Sequence, residues 1–214
     1  MKLLDLFCGA GMASDGYAMA GFDDIVGIDI NNQRNYPFTF IQGDAMSILL
    51  DKEFLSTFDL IHASPPYQAH TRAKHLRDAQ GGVSKYDDLL TPTLALLRQQ
   101  STPWVVENVP GAPGMQNAVI QCGSAYGLGV RRHRLFLSDQ YVLQNSGCKH
   151  KEQGRPWGVY HVPADNIPAG GRTARNVEHG REVMGVTRPI TWNELKEGFP
   201  PAYTHAIGMQ VRGH

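Results

Sequence analysis

Short apolar runs alternate with helix-compatible segments along the first two thirds of the chain. Leu3–Phe7 and Ile25–Asp29 are apolar runs that close on turn residues, and the Ala/Met-rich stretch Ala13–Ala20 between them fits one short helix. Strand, helix and strand at this spacing make a βαβ unit and therefore a parallel sheet. Further strands are expected at Thr39–Gln42, Phe58–Ala63, Trp104–Glu107 and Arg134–Leu137, with helices near Ala45–Leu50, Tyr86–Gln99 and Val119–Tyr126. That order is the order of a doubly wound α/β fold with a mostly parallel sheet. Residues 139–181 are rich in Gly, Pro and Asn without a clear period and read as an irregular insertion. Thr191-Trp-Asn-Glu194 reads as a capping box opening a helix to about Glu197, and a last helix is expected from Ala202 to Gly208.

Composition narrows the picture only a little. A chain of 214 residues normally makes one domain, so a single domain over 1–214 is expected. The formal net charge is zero, which removes any argument from overall basicity for a nucleic-acid partner; DNA binding would need a local patch. Three cysteines, an odd number and far apart, form no disulfide framework, and Asp5 interrupts the N-terminal apolar run at once. Neither a signal peptide nor a membrane span is expected, and a reducing, cytoplasmic location follows.

The candidate chemistry lies at strand ends. Ser64-Pro65-Pro66-Tyr67-Gln68 follows the run ending at Ala63. Two prolines fix an extended, rigid corner. Ser64 Oγ and the Pro65 carbonyl there offer two acceptors to one amino group, beside an aromatic face on which a base could stack. Earlier in the chain, Asp5-Leu-Phe7-Cys-Gly9-Ala-Gly11 leaves a strand and enters a helix, so its glycines let backbone amides approach a ligand. Ser14 stands where a dinucleotide fingerprint has its third glycine, and the phosphate-loop lysine is absent. Asp29 and Asp44 end the second and third strands, either as ligand acceptors or as ordinary helix caps. Glu107 ends a strand that reads as buried on both faces, where a carboxylate needs a purpose or a salt-bridge partner. Arg131-Arg132-His133-Arg134 is a basic cluster or a solvated edge. His62 is more often a satisfied core histidine than a proton shuttle. The long polar loop 69–85, with Arg72, Lys74 and Arg77, reads as a lid whose cations track phosphates. Cys148-Lys-His150, with His161 nearby, matches no common zinc spacing, and no metal is expected.

These motifs carry a resemblance along nearly the whole chain. Ser64-Pro65-Pro66-Tyr67 resembles the SPPY motif of amino-methylating DNA methyltransferases. Phe7-Cys8-Gly9-Ala10-Gly11, Glu107-Asn108-Val109, Arg131–Arg134 and the segment Leu195–Gly208 resemble the cytosine carbon-5 DNA methyltransferases instead. The resemblance implies a Rossmann-like S-adenosylmethionine-dependent methyltransferase fold. It places the cofactor against Asp5, Phe7, Gly9, Gly11, Asp29, Ile30, Asp44, Ala45 and Ser64, and double-stranded DNA with a flipped cytosine against Gln68, Arg72, Lys74, Arg77 and Arg131. Ser64, Pro65, Tyr67, Glu107, Arg132 and Arg134 become the catalytic set, with Glu107 on the pyrimidine edge. No obligate protein partner is expected.

Two departures from the carbon-5 pattern matter. Tyr67 replaces the nucleophilic cysteine of Pro-Pro-Cys, and a phenol with a pKa of about 10 is a far weaker nucleophile than a thiolate. Only 139–181 is available in place of a full target-recognition domain. The expected activity is therefore direct methyl transfer to the 4-amino group of cytosine. The alternatives are carbon-5 or adenine methylation, or an inactive descendant that only binds cofactor or DNA.

Overall fold

The structure is a computed structural model describing residues 1–66, 88–159 and 172–213. Its main sheet has seven strands in the order β3-β2-β1-β4-β5-β7-β6. Strands β1 (Lys2–Leu6), β2 (Asp24–Asp29), β3 (Thr39–Gln42), β4 (Leu60–Ala63) and β5 (Trp104–Asn108) run parallel. Only β7 (Arg134–Leu137) is antiparallel to its neighbours, β5 and β6 (Val119–Gln121). Chain order reverses at β1, because β2 and β3 lie on one side of it and β4 and β5 on the other. Connections diverge at such a reversal and leave a crevice beyond the carboxyl ends of the strands. Leu6, Ile28 and Ala63 are aligned across those ends, so the residues that follow them meet in that crevice.

The two-residue period of the strands distributes their apolar side chains to both faces. Leu4, Leu6, Ile61 and Trp104 join Leu49, Leu55 and Leu94 in one cluster, bringing in α2 (Ala45–Ile48), α3 (Lys52–Leu55) and α4 (Leu90–Leu97). Leu3, Ile25, Leu60 and Phe136 face the other way, onto Tyr17 of α1 (Met12–Met19) and onto Tyr203 and Ile207 of the C-terminal helix. Helices on both faces are what a parallel sheet requires.

Several elements differ from the expectation. In place of a helix over Val119–Tyr126, β6 is followed by a 3-10 turn over Gly123–Tyr126 that ends at Gly127 with φ +70°. The Val119-Ile120 pair favours a strand, and a Cβ at Gly123 would lie 2.3 Å from the Val130 carbonyl, so the backbone passes too closely for a helical side chain. Helix α4 begins only at Leu90, where Asp88 accepts from the Leu90 amide at 3.0 Å. The segment 139–181 is not wholly irregular. It contains α5 (His150–Gln153), a two-strand pair of β8 (Trp157–Gly158) and β9 (Arg172–Thr173), and the start of α6 (Val177–Met184), capped by Asn176. Helix α6 buries only Gly180, Val183 and Met184, too thin an apolar stripe to stand out in the sequence. The capping box at Thr191 is formed and opens α7 (Trp192–Glu197). The last helix, α8 (Pro201–Arg212), is longer than expected at both ends, with its proline in the first turn, where no amide partner is needed.

Helix α8 packs directly on α1, the helix that follows the glycine loop. Thr204 Oγ1 donates to the Ala13 carbonyl at 2.8 Å, and a Cβ on Gly16 would lie 2.1 Å from the Pro201 carbonyl oxygen. Gly16→Ala is therefore expected to lower unfolding stability by about 1–3 kcal/mol in urea denaturation. An unchanged midpoint would mean that the two helices do not make this contact.

Candidate active site

The loop after β1 turns through left-handed backbone three times, at Phe7 (φ +57°), Gly9 (φ +49°) and Gly11 (φ +84°). For Phe7 this is a strained conformation, and it brings the aromatic ring to the crevice wall. The two glycines serve different ends. A Cβ on Gly11 would meet Pro37 Cδ at 2.8 Å and Tyr36 Cδ2 at 2.9 Å, so that glycine lets the loop pack on the chain after β2. A Cβ on Gly9 would meet nothing within 4 Å. Gly9 borders the cavity, and its amide donates to Asp29 Oδ2 at 3.1 Å while Asn31 N donates to Oδ1 at 2.8 Å. Those two bonds aim the Asp29 carboxylate and leave lone pairs on both oxygens for a ligand.

Asp5 lies beneath the loop and does not line the cavity. It accepts from Ser14 Oγ at 2.5 Å, and Ser14 Oγ lies 2.7 Å from Tyr36 Oη. Burial without a facing cation, reinforced by the charges of Asp29 and Asp15, pushes its carboxyl up to about 7. The resemblance places Asp5 among the cofactor contacts, but the geometry makes it a support for the loop. A residue with no sequence signal completes this support. Arg188 donates from Nε to both oxygens of Asp15 at 2.9–3.0 Å, from Nη1 to Asn35 O, and from Nη2 to the Ala10 carbonyl of the glycine loop.

The crevice encloses a cavity of about 320 Å³. At one end stand Phe7, Gly9, Asp29, Ile30, Asp44 and Ala45; at the other, Ser64, Pro65, Glu107 and Arg134. Asp44 serves as a helix cap as well, accepting from Met46 N at 3.0 Å and Ser47 Oγ at 2.8 Å, so it faces the cavity in a fixed orientation. The first end fits S-adenosylmethionine. It has an open backbone approach at Gly9, an aimed carboxylate at Asp29 for ribose hydroxyls, and another at Asp44 for an amino group.

The second end is a buried run of polar side chains. Ser64 stands close enough to Glu107 to favour its ionised form. His62 Nε2 lies 2.9 Å from Ser64 Oγ, and His62 Nδ1 lies 3.1 Å from Tyr17 Oη, so the ring bridges the two hydroxyls. Burial holds His62 down at about 3, so it stays neutral. Arg134 Nε lies 2.9 Å from Glu107 Oε1, with both side chains under 9% exposed. Burial raises Glu107 above the ordinary carboxylate range, while Arg134, Ser64 and Arg132 oppose the rise. Pro65 lines the cavity, and its carbonyl accepts from Asn108 Nδ2 at 3.1 Å.

The remaining basic residues point elsewhere. Arg132, held at φ +34°, donates to the carbonyls of Gly198, at 2.6 Å from Nε, and Lys196, fastening β7 to the end of α7. Arg131, expected on DNA, donates to Gln153 Oε1 at 3.2 Å and so holds α5. Tyr67, Gln68, Arg72, Lys74 and Arg77 lie outside the described residues. All three cysteines are described, and none lines the cavity. Cys8 is buried beneath the loop, where burial and the charges of Asp5 and Asp29 push its thiol far above the ordinary range.

Fold and site together define a Rossmann-like methyltransferase, with a cofactor crevice at the strand reversal and a carboxylate–arginine pair at its floor. A family model for C-5 cytosine-specific DNA methylase matches residues 1–122, and the chain belongs to that family, whose cofactor is S-adenosylmethionine. No curated relative matches the sequence. Among solved structures, the Entamoeba histolytica methyltransferase EhMeth superposes with a TM-score of 0.64 at 11% identity, over 100% of this chain and 98% of that one. A mutant of Spodoptera frugiperda DNMT2 superposes with a TM-score of 0.61 at 13% identity, over 99% of each chain. A DNA modification methyltransferase encoded within an E. coli prophage matches 67% of this chain at 20% identity and a TM-score of 0.45; this chain spans 49% of its length.

Two measurements test the assignments. Asp29→Ala should weaken S-adenosylmethionine binding about tenfold or more in calorimetry, since a charged hydrogen-bond acceptor is lost. Unchanged affinity would remove Asp29 from the cofactor site. Asp5 has a raised folded-state pKa, so its contribution to stability is full at low pH and is lost as pH rises from about 4 through about 7. Asp5→Asn abolishes that loss, so the variant should gain on the parent in unfolding free energy across this window. A constant difference between the two proteins would show Asp5 to be ionised throughout.

Proposed function

We propose that this chain methylates DNA by direct transfer to the exocyclic 4-amino group of a flipped cytosine, with no covalent enzyme–base intermediate. The observation that carries this reading is the missing thiol. Position 67, after Pro65-Pro66, is tyrosine, and Cys8, Cys122 and Cys148 all lie off the cavity wall. Carbon-5 chemistry needs a nucleophile at carbon 6, and none of the three can supply it. The amino group, by contrast, needs only acceptors and an aligned methyl.

S-adenosylmethionine, bound at the Asp29 end, supplies an electrophilic methyl on sulfur. At the other end, the His62 Nε2–H can donate a hydrogen bond to Ser64 Oγ while the Ser64 hydroxyl turns toward the Glu107 carboxylate, which leaves one Oγ lone pair for an amino hydrogen. The Pro65 carbonyl has its second lone pair for the other. Both bonds draw the nitrogen lone pair out of conjugation with the ring and toward the methyl. When the nitrogen gains a methyl it must release a proton. Ser64 Oγ takes that proton and passes its own to the Glu107 carboxylate, whose negative charge Arg134 has stabilised until then. Glu107 must be ionised to receive it.

The family match favours a second reading, methylation at carbon 5 by a route that does not use a thiolate. Nucleoside mass spectrometry on DNA from cells expressing the protein separates the two. N4-methylcytosine is expected, and 5-methylcytosine as the only product would overturn the proposal. DNA containing 5-fluorocytosine should form no covalent adduct. Because burial raises Glu107, activity should fall with decreasing pH while still above the usual carboxylate range, and Glu107→Gln should lose about 100-fold or more. An activity indifferent to Glu107→Gln would eliminate the proton path.

A further inference from the structure

Four metal-ligating side chains converge at the opposite edge of the sheet. Cys122 follows β6, His133 immediately precedes β7, Cys148 lies in the connection after β7, and His150 opens α5. Their ligand atoms all lie within 4.8 Å of one another. Cys122 Sγ is 3.3 Å from His150 Nε2, and Cys148 Sγ is 3.3 Å from His133 Nε2. Around a tetrahedral zinc ion, bonds of about 2.0–2.3 Å place neighbouring donor atoms about 3.3–3.8 Å apart. Two edges of the cluster already have that length, and small rotations of the side chains close the rest. We propose that Cys122, His133, Cys148 and His150 form a structural zinc site of the Cys2His2 type.

The donor chemistry selects the metal. Two thiolates cancel the charge of a divalent cation, two imidazoles complete a tetrahedron, and an S2N2 set suits zinc over hard, oxygen-seeking ions. The surroundings are organised for it. Ser124 Oγ lies 3.1 Å from Cys122 Sγ and accepts from the Lys149 amide at 3.0 Å, tying the first ligand to the backbone between the last two. The Cys122 amide donates to Ser146 Oγ at 3.0 Å, and Arg131 Nη2 reaches the His150 carbonyl at 3.5 Å. Cys122 is buried whereas Cys148 is exposed, so the site has a closed floor and an open side for entry. The spacing, ten residues, then fourteen, then one, follows no familiar zinc pattern because the fold, not a local loop, brings the pairs together. This assignment replaces the expectation of no metal; His161, considered with Cys148 in the sequence, lies outside the described residues.

The consequence is mechanical. Zinc at this point would clamp the connection 138–149 and α5 onto the start of β7, where Arg132 and Arg134 flank His133. Loss of the ion should loosen the strand end that positions Arg134 against Glu107.

Full-length protein purified in reductant without added metal should carry one zinc per chain by inductively coupled plasma mass spectrometry. Cobalt added after chelation should give the visible bands of tetrahedral coordination together with thiolate-to-cobalt charge transfer. Cys148→Ser, at an exposed position, should retain the parent circular dichroism yet bind metal at least tenfold more weakly, and only the parent should lose thermal stability on chelation. His150→Gln should behave as Cys148→Ser does. The proposal is overturned if no metal co-purifies and cobalt gives no charge-transfer band, or if Cys148→Ser binds metal as tightly as the parent. It is equally overturned if alkylation and mass mapping find Cys122 and Cys148 joined in a disulfide in protein isolated under reducing conditions.

Discussion

Glu107 is a carboxylate on a strand whose five residues are all buried, and its charge is tolerable only because Arg134 meets it at 2.9 Å. Losing either partner of such a pair typically costs about 3–5 kcal/mol, since the other charge is left stranded in a poorly solvating interior. Much of the far half of the sheet can be understood as arranging that meeting. Strand β7 runs antiparallel between β5 and β6, so its first residue, Arg134, falls beside the carboxyl end of β5. A parallel β7 would present its far end there. Arg132 and Tyr203 then secure the approach to β7, the one by gripping carbonyls at the end of α7, the other by donating its hydroxyl to the carbonyls of Arg131 and Arg132. The site is therefore held from the C-terminal helix inward.

The cofactor half obeys a different constraint, close backbone approach. Gly9 leaves open space where a ligand backbone contact is needed, and the loop that carries it is braced from below by Asp5, Ser14 and Tyr36 and from the side by Arg188. None of these braces need touch the ligand. They convert a strained turn, with Phe7 in left-handed backbone, into a fixed wall.

What was legible in the sequence follows from the range of the interactions involved. The strand–helix alternation, the capping box at Thr191 and the glycine loop depend on residues within a few positions of one another, and each was readable. The bond from Arg188 to Asp15 spans 173 residues, and the donors of the cysteine–histidine cluster come together only once β6 and β7 are paired. Neither leaves a local pattern. Helix α6 went unread for another reason, its apolar stripe being only three residues. Asp5, which the resemblance places at the cofactor, is buried off the cavity wall and bonded to Ser14, a placement that only the packing of α1 and the chain after β2 reveals.

In the reading proposed above, scaffold and chemistry separate at a single corner of the chain. The family match, the sheet order and the crevice at β1 all belong to a carbon-5 architecture, but that architecture specifies where a cofactor and a base can meet, not which atom of the base reacts. The reacting atom is chosen by what stands beside the base. A thiolate aimed at carbon 6 activates the ring, whereas hydroxyl and carbonyl acceptors activate the amine. In the carbon-5 arrangement a serine would be one polar group among several. Here Ser64 Oγ lies 2.9 Å from His62 Nε2, and His62 Nδ1 lies 3.1 Å from Tyr17 Oη. That histidine is itself on the buried strand β4, two residues upstream, so its place beside Ser64 is set by the fold. In the reading proposed above, the replaced nucleophile and the acceptors beside the base bear on one atom, the exocyclic amino nitrogen.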